Sequence, residues 1–122
     1  MLVVEDEEIV GHLLVFMLTR EGFKVEWKRN GRDADHFIHH NNAPTLVLLD
    51  INLPDIDGYG LLSLIRARAS WKQTPVIMLT AMSEANDVAR AVALGANNYL
   101  LKPFHPEELI RRVYKLCRVQ WS

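Results

Sequence analysis

The sequence has a single cysteine, Cys117, and almost no net charge: 14 basic and 15 acidic side chains give a formal charge of -1. One cysteine excludes an internal disulfide and fits a reducing compartment. The charge balance gives no overall field that would draw the chain to nucleic acid or to an anionic membrane. The apolar runs are too short to cross a membrane, and the charges at 5–8 interrupt the first run before it can resemble a signal peptide. We therefore expect a cytoplasmic protein without direct contact to nucleic acid or membrane.

The sequence also lacks repeats, low-complexity segments and a Gly/Ser linker. Its 122 residues, 49% of them hydrophobic, are the size and composition of one globular domain with one core. We expect a single domain over residues 1–122. The chain starts almost inside its first apolar run and stops soon after its last helical pattern, as a domain cut from a larger protein would.

Five strand-like segments alternate with five helical patterns along the chain. The segments at 45–49 and 75–79 are apolar without alternation, which favours central strands buried on both faces. The segment at 23–28 alternates apolar and charged residues, which favours a sheet edge. Short apolar segments at 2–4 and 98–101 complete the set. This order predicts an α/β fold with a parallel sheet covered by helices on both faces.

The helical patterns have recognisable limits. Apolar residues from Ile9 to Leu18, including Leu13, recur at helical spacing, and Gly22 is a stop signal. A later helix is predicted to be capped by Ser83 and closed by Gly95.

Polar side chains follow four of the five predicted strands at the point where each strand ends. Glu5 and Asp6 follow the first, Asp50 the third, Thr80 the fourth and Lys102 the fifth. Because ligands of such sheets bind at the carboxyl ends of the strands, we expect these groups to meet there. Three close carboxylates would raise each other's pKa without a cation, and a few carboxylates with water are how Mg²⁺ is usually held. A carboxylate can also form an acyl phosphate, with a hydroxyl and a lysine contacting the phosphoryl oxygens.

Further motifs surround these residues in a fixed order. They are Leu53-Pro54 with Asp57-Gly58, the run from Pro75 to Ala81, Gly95-Ala96, Tyr99 and Lys102-Pro103-Phe104. With Glu5-Asp6 and Asp50, they resemble the receiver domain of two-component response regulators over essentially the whole chain. The resemblance implies a doubly wound, flavodoxin-like (βα)5 fold with strand order 2-1-3-4-5.

The resemblance also implies a role for the acids. Asp50 matches the phosphoacceptor, Asp6 the direct Mg²⁺ ligand and Glu5 the water-mediated one. The backbone carbonyl of Asn52 matches the third protein ligand.

The remaining site residues match groups that contact or report the phosphate. Thr80 and Lys102 match its contacts, and Ala81 matches a binding position beside them. The peptide bond before Pro103 is expected to be cis. Tyr99 matches the aromatic residue that turns inward when Thr80 moves to the phosphate.

The family implies a sensor histidine kinase or histidine phosphotransfer protein as donor and a downstream output domain or protein. It implies a switch that catalyses its own phosphorylation, not a turnover enzyme, with the fourth helix, fifth strand and fifth helix as the output surface. Asn97, Asn98 and Val88 replace charged residues of the subgroup that dimerises through this surface, which argues against that dimer. Met82 offers no acid or amide to direct water, which predicts a long-lived phosphoryl state.

Three other interpretations remain at this point. A Mg²⁺-dependent phosphohydrolase of the haloacid type also has an aspartyl nucleophile, but needs a second acid where Asn52 stands. A flavodoxin-like cofactor binder needs a Ser/Thr-rich phosphate loop where residues 5–8 are acidic. A receiver that signals without phosphorylation has no need of the intact acid, threonine and lysine set.

For three histidines and two tryptophans, a structural role is the simpler interpretation. His36, His39 and His40 have helical spacing, and a solvated helix face is preferred to a metal site. Trp71 and Trp121 are predicted to be partly exposed or to contact a partner.

Overall fold

The computed structural model of the chain describes residues 1–81 and 85–117, with the backbone alone at 85 and 86. The predictions for Met82, Ser83 and Trp121 lie outside these residues. None of the helices within the described ranges has the length and apolar character needed to cross a bilayer.

Strands and helices alternate throughout the described chain. The strands are β1 (Leu2–Val4), β2 (Glu26–Lys28), β3 (Val47–Asp50), β4 (Val76–Thr80) and β5 (Asn98–Leu101). The helices are α1 (Glu8–Arg20), α2 (Gly31–His40), α3 (Gly58–Ala67), α4 (Ala85–Ala93) and α5 (Pro106–Cys117). All pairings are parallel, and the sheet order is β2-β1-β3-β4-β5. The predicted fold class and strand order are confirmed.

The sheet separates two apolar cores, because successive side chains of a strand point to opposite faces. Leu2 and Val4 lie in one core, together with buried residues of α2, α3 and α4. Val3 lies in the other, with buried residues of α1 and α5. The strands β3 and β4 contribute to both and are buried along their whole length. Their lack of alternation in the sequence reflects this double burial.

Two strands are shorter or shifted relative to the prediction. The segment at 23–28 forms a ladder only over Glu26–Lys28, because β2 lies at the sheet edge and pairs only with the three-residue β1. The segment predicted over 45–49 forms a strand from Val47 to Asp50. Asp50 therefore stands inside the sheet, where it pairs with Leu79 of β4.

Burial also differs at three apolar positions. Ile9 and Leu13 share the helical spacing of α1, yet their exposed fractions are 85% and 42%, since Leu14, Met17 and Leu18 face the sheet instead. The prediction of a partly exposed Trp71 was wrong. Its ring is completely buried, and its indole Nε1 donates to the carbonyl of Asn41 at 3.0 Å. That bond removes the cost of burying an unpaired donor.

The guanidinium of Arg66 in α3 joins the amino ends of β4 and β5 to the carboxyl end of α4. It donates to the carbonyl of Gly95 from Nε at 3.0 Å and from a terminal nitrogen at 2.8 Å. It also donates to the Thr74 carbonyl at 2.7 Å and to Asn97 Oδ1 at 2.8 Å. Gly95 takes a φ of +101°, which favours glycine, and ends the α4 segment as predicted.

The first turn of α3 allows a matched test of packing beside Asp50. A Cβ on Gly58 would lie 2.4 Å from the backbone oxygen of Asp50, so Gly58→Ala should lower the free energy of unfolding by about 2 kcal/mol. A Cβ on exposed Gly60 meets side-chain atoms alone, Ile56 Cγ2 at 3.2 Å and Asp57 Oδ1 at 3.5 Å, so Gly60→Ala should change the free energy of unfolding by less than about 1 kcal/mol. Urea denaturation of both variants measures the difference. Equal losses would contradict this account of α3 packing.

Candidate functional site

The carboxyl ends of the strands bring the predicted polar residues to one edge of the sheet. Glu5 follows β1, Asp50 ends β3, Thr80 ends β4 and Lys102 follows β5. Carboxylate oxygens of Glu5, Asp6 and Asp50 all lie within 4.8 Å of one another. Glu5 and Asp50 are buried, whereas Asp6 is exposed. We call this group of acids, with Lys102, the acidic pocket.

Lys102 is the positive charge of the acidic pocket. Its Nζ lies 2.7 Å from Glu5 Oε1, 3.4 Å from Asp50 Oδ2 and 3.4 Å from Glu7 Oε1. The backbone fixes the start of this side chain, since Lys102 N donates to the Thr80 carbonyl at 2.8 Å. The peptide bond between Lys102 and Pro103 is cis, as the resemblance implied. Lys102 thus contacts three acids at once.

Glu7 is a pocket residue that the sequence analysis did not single out. In the sequence it is one of four consecutive acids at 5–8. Its backbone precedes α1 in an extended conformation, and its amide donates to Glu5 Oε2 at 3.2 Å. The only signal in the sequence was its place one residue after the acidic pair.

The protonation of Asp50 reflects its surroundings. Burial raises the pKa of Asp50 to about 7, with a further rise from the hydrogen bond and the charge of Glu5. Lys102 and the backbone amide of Asn52 act in the opposite direction. For Lys102, burial alone would lower the pKa, but Glu5, Asp50 and Glu7 outweigh it and hold the pKa above its usual value. The lysine therefore stays charged, while Asp50 titrates near neutrality.

Asn52 and Ala81 lie on the loops that border the acidic pocket. The amide of Asn52 donates to Asp50 Oδ1 at 3.2 Å, which ties the loop after β3 to the carboxylate. Ala81 follows Thr80 directly and is exposed. Both positions are at the same edge of the sheet as Asp50.

Thr80 connects the acidic pocket to Tyr99. Thr80 is completely buried, and Tyr99 is half-buried on the neighbouring strand β5. Burial raises the pKa of the Tyr99 hydroxyl, and a hydrogen bond between the Thr80 and Tyr99 side chains partly offsets that rise. The Thr80 and Tyr99 hydroxyls are therefore in direct contact.

The donor atoms of the acidic pocket fit a hard divalent cation. Among the described residues, this is the one group of three His, Cys, Asp or Glu side chains able to hold a metal. Glu5 Oε1 is buried, and the group that it faces in the described part of the chain is the Lys102 ammonium at 2.7 Å. A cation between the carboxylates would offset the burial and repulsion that raise the pKa of Asp50.

Comparison with known proteins places these features in a family. Residues 1–114 match the response regulator receiver domain. The transcriptional regulatory protein SrrA of Staphylococcus aureus is 38% identical over 117 residues, which are 96% of this chain and 47% of that protein. The chain therefore spans about half the length of the curated relatives it matches.

Two solved structures cover nearly the whole chain. The signal receiver domain of a signal transduction histidine kinase from Syntrophus aciditrophicus is 32% identical with a TM-score of 0.87, covering 96% of this chain and 88% of that one. The receiver domain of the sensor histidine kinase PA1611 from Pseudomonas aeruginosa has a magnesium ion coordinated in its active site cleft. It is 31% identical with a TM-score of 0.86, covering 95% of this chain and 94% of that one.

The raised pKa of Asp50 predicts a stability change when its charge is removed. The pKa rises from 3.8 to about 7 on folding, so the folded protein binds the proton more tightly, and stability is lost as pH rises across this interval. Without metal, Asp50→Asn should raise the free energy of unfolding by about 1–2 kcal/mol above pH 7. The gain should grow between pH 4 and 7 and then level off, in chemical denaturation with a chelator present. Glu26→Gln, at an exposed carboxylate outside the acidic pocket, is the control. A gain of the same size at pH 4 and pH 8 would contradict the assignment.

Proposed function

The chain belongs to the response regulator receiver domain family, and on that basis we propose that Asp50 accepts a phosphoryl group from a phosphohistidine donor. The observation that carries the proposal is the buried Asp50 carboxylate, 3.4 Å from the Lys102 ammonium and beside two further acids. A lone strand-end aspartate would need none of these partners. The donor is a sensor histidine kinase or a histidine phosphotransfer protein, and the cytoplasm is the expected location.

Mg²⁺ is the cation that we assign to the acidic pocket. Asp6 and Asp50 would bind it directly, Glu5 through water and Asn52 through its backbone carbonyl. When bound, Mg²⁺ supplies positive charge to the phosphoryl oxygens. The magnesium ion in the PA1611 receiver supports this assignment. The acid set also fits the preference of Mg²⁺ for a few carboxylates and water.

Phosphoryl transfer then proceeds by substitution at phosphorus. An oxygen of the Asp50 carboxylate, deprotonated for the attack, forms the new O–P bond as the N–P bond to the donor histidine breaks. Lys102 neutralises charge on one phosphoryl oxygen, and the Thr80 hydroxyl donates to another. The product is an acyl phosphate on the protein itself, so the chain acts as its own substrate and does not turn over an external one.

The output begins with the bond between Thr80 and Tyr99. When the Thr80 hydroxyl turns to a phosphoryl oxygen, it leaves Tyr99. Tyr99 lines a groove of about 470 Å³ with Val88 and Phe104, between α4, β5 and α5. Ala91 is the buried core side chain described for α4, so a small free-energy change is enough to move this helix. We propose this groove as the surface that an output domain or protein reads.

Contacts within the chain support the expectation that it does not dimerise through the surface formed by α4, β5 and α5. Arg112 of α5 donates to the side chain of Asn98, to the Tyr99 carbonyl at 3.1 Å and to Glu108 at 2.6 Å. A guanidinium with these partners in its own chain has fewer donors left for a second copy.

Metal binding should depend on pH through Asp50. Because a proton must leave a carboxyl with a pKa of about 7, Mg²⁺ affinity should rise about tenfold from pH 6 to pH 8. Titration calorimetry at three pH values measures this. An affinity that stays constant across the range would show that Asp50 is not titrating in the metal site.

The proposed function is tested by incubation with a small phosphodonor and Mg²⁺, followed by intact mass. We expect a gain of one phosphoryl group that Asp50→Asn abolishes and that Asp33→Asn, at an exposed carboxylate on α2, retains. A mass that stays unchanged with both the small donor and an active kinase would refute the proposal. Continuous release of phosphate without a phosphorylated protein would instead indicate a hydrolase.

A further inference from the structure

Trp27 connects the sheet edge to the acidic pocket. It lies on β2, and its indole Nε1 donates to the backbone carbonyl of Glu5 at 2.9 Å. The β1–β2 ladder ends at the pair of Val4 with Lys28, after which Glu5 N still donates to the Lys28 carbonyl at 3.1 Å. The indole therefore holds the backbone of Glu5 just beyond the last pair of this ladder.

The ring of Trp27 is held in place by its neighbours. A Cβ on Gly11 would lie 1.9 Å from Trp27 Cζ2, so the ring packs directly against the backbone of α1. The guanidinium of Arg29 lies 4.2 Å from the ring centroid, and the His12 ring meets it edge-on at 5.0 Å. Glu8 approaches both of these side chains, at 3.6 Å and 3.7 Å. The indole N–H is thus aimed by packing as well as by its own hydrogen bond.

The residue that Trp27 holds is the buried acid of the turn between β1 and α1. The Glu5 carboxylate contacts Lys102 and accepts a hydrogen bond from Glu7 N. Asp6 is the next residue, and Asp50 lies across the pocket. Like charges this close repel one another, which favours an outward movement of the turn. A fixed donor on the Glu5 carbonyl opposes that movement.

We propose that Trp27 is a positioning residue of the acidic pocket: its indole N–H fixes the turn that carries Glu5 and Asp6 and thereby sets the pocket's affinity for a divalent cation. This inference rests on the proposed function, because the cation is the one assigned there. Partners that orient metal ligands without touching the metal commonly change affinity by tenfold or more.

The test compares two tryptophans that make the same kind of bond. Trp27→Phe keeps an aromatic ring but loses the N–H to Glu5, whereas Trp71→Phe loses an N–H to the carbonyl of Asn41, outside the pocket. Mg²⁺ affinity by calorimetry and stability by urea denaturation are measured for each full-length chain. We expect about a tenfold weaker affinity in Trp27→Phe and an unchanged affinity in Trp71→Phe, whatever stability each variant loses. A methyl group at position 11 would displace the ring of residue 27. In the Trp27→Phe variant this ring no longer donates to Glu5, so adding Gly11→Ala should not lower the Mg²⁺ affinity further.

A second readout does not need the metal. The amide of Glu7 bonds to the Glu5 carboxylate, so its hydrogen exchange in the metal-free protein should be faster in Trp27→Phe than in Trp71→Phe. Unchanged Mg²⁺ affinity in Trp27→Phe would overturn the inference. It would also be overturned if both variants lost Mg²⁺ affinity in proportion to their loss of stability. If the wild-type chain fails to bind Mg²⁺, the metal assignment fails. The Glu7 exchange rate then decides whether Trp27 anchors the turn.

Discussion

The contact between Lys102 and the acids of the pocket is the interaction on which the site depends. Glu5 and Asp50 are buried at the end of the sheet, where two uncompensated carboxylates would be costly. Lys102 offsets part of that cost, yet one ammonium cannot neutralise Glu5, Asp50 and Glu7 together. Burial, together with the hydrogen bond and charge of Glu5, still holds the pKa of Asp50 above its usual value. A divalent cation fits this pocket because it would supply positive charge that one lysine cannot provide.

The sequence predicted the fold and most of the residues that meet in the pocket because both depend on order along the chain. Alternation of strands and helices requires a parallel sheet, and the ends of parallel strands bring Asp50, Thr80 and Lys102 to one edge. The motifs around these residues then indicated the family and the 2-1-3-4-5 order. No knowledge of individual side-chain contacts was needed.

Features that depend on neighbouring elements could not be predicted in this way. Helical spacing identifies a stripe on α1, but not that Ile9 lies outside the contact with the sheet. A tryptophan near the end of a helix gives no sign that Trp71 will find the Asn41 carbonyl and become completely buried. The roles of Glu7 and Trp27 depend on where the turn after β1 passes. That path is determined by Lys102 on one side and by the close packing at Gly11 on the other.

The hydrogen bonds of Arg66 limit how α4 can move. Its bonds to Gly95, Thr74 and Asn97 attach the carboxyl end of α4 to the sheet, at the edge opposite the acidic pocket. A helix held at one end moves as a lever about that end. Displacement then grows along α4 toward Ala85, the end that follows Thr80 in the chain. A shift beside Asp50 would therefore tilt α4 about its end at Arg66, while the opposite edge of the sheet stayed in place.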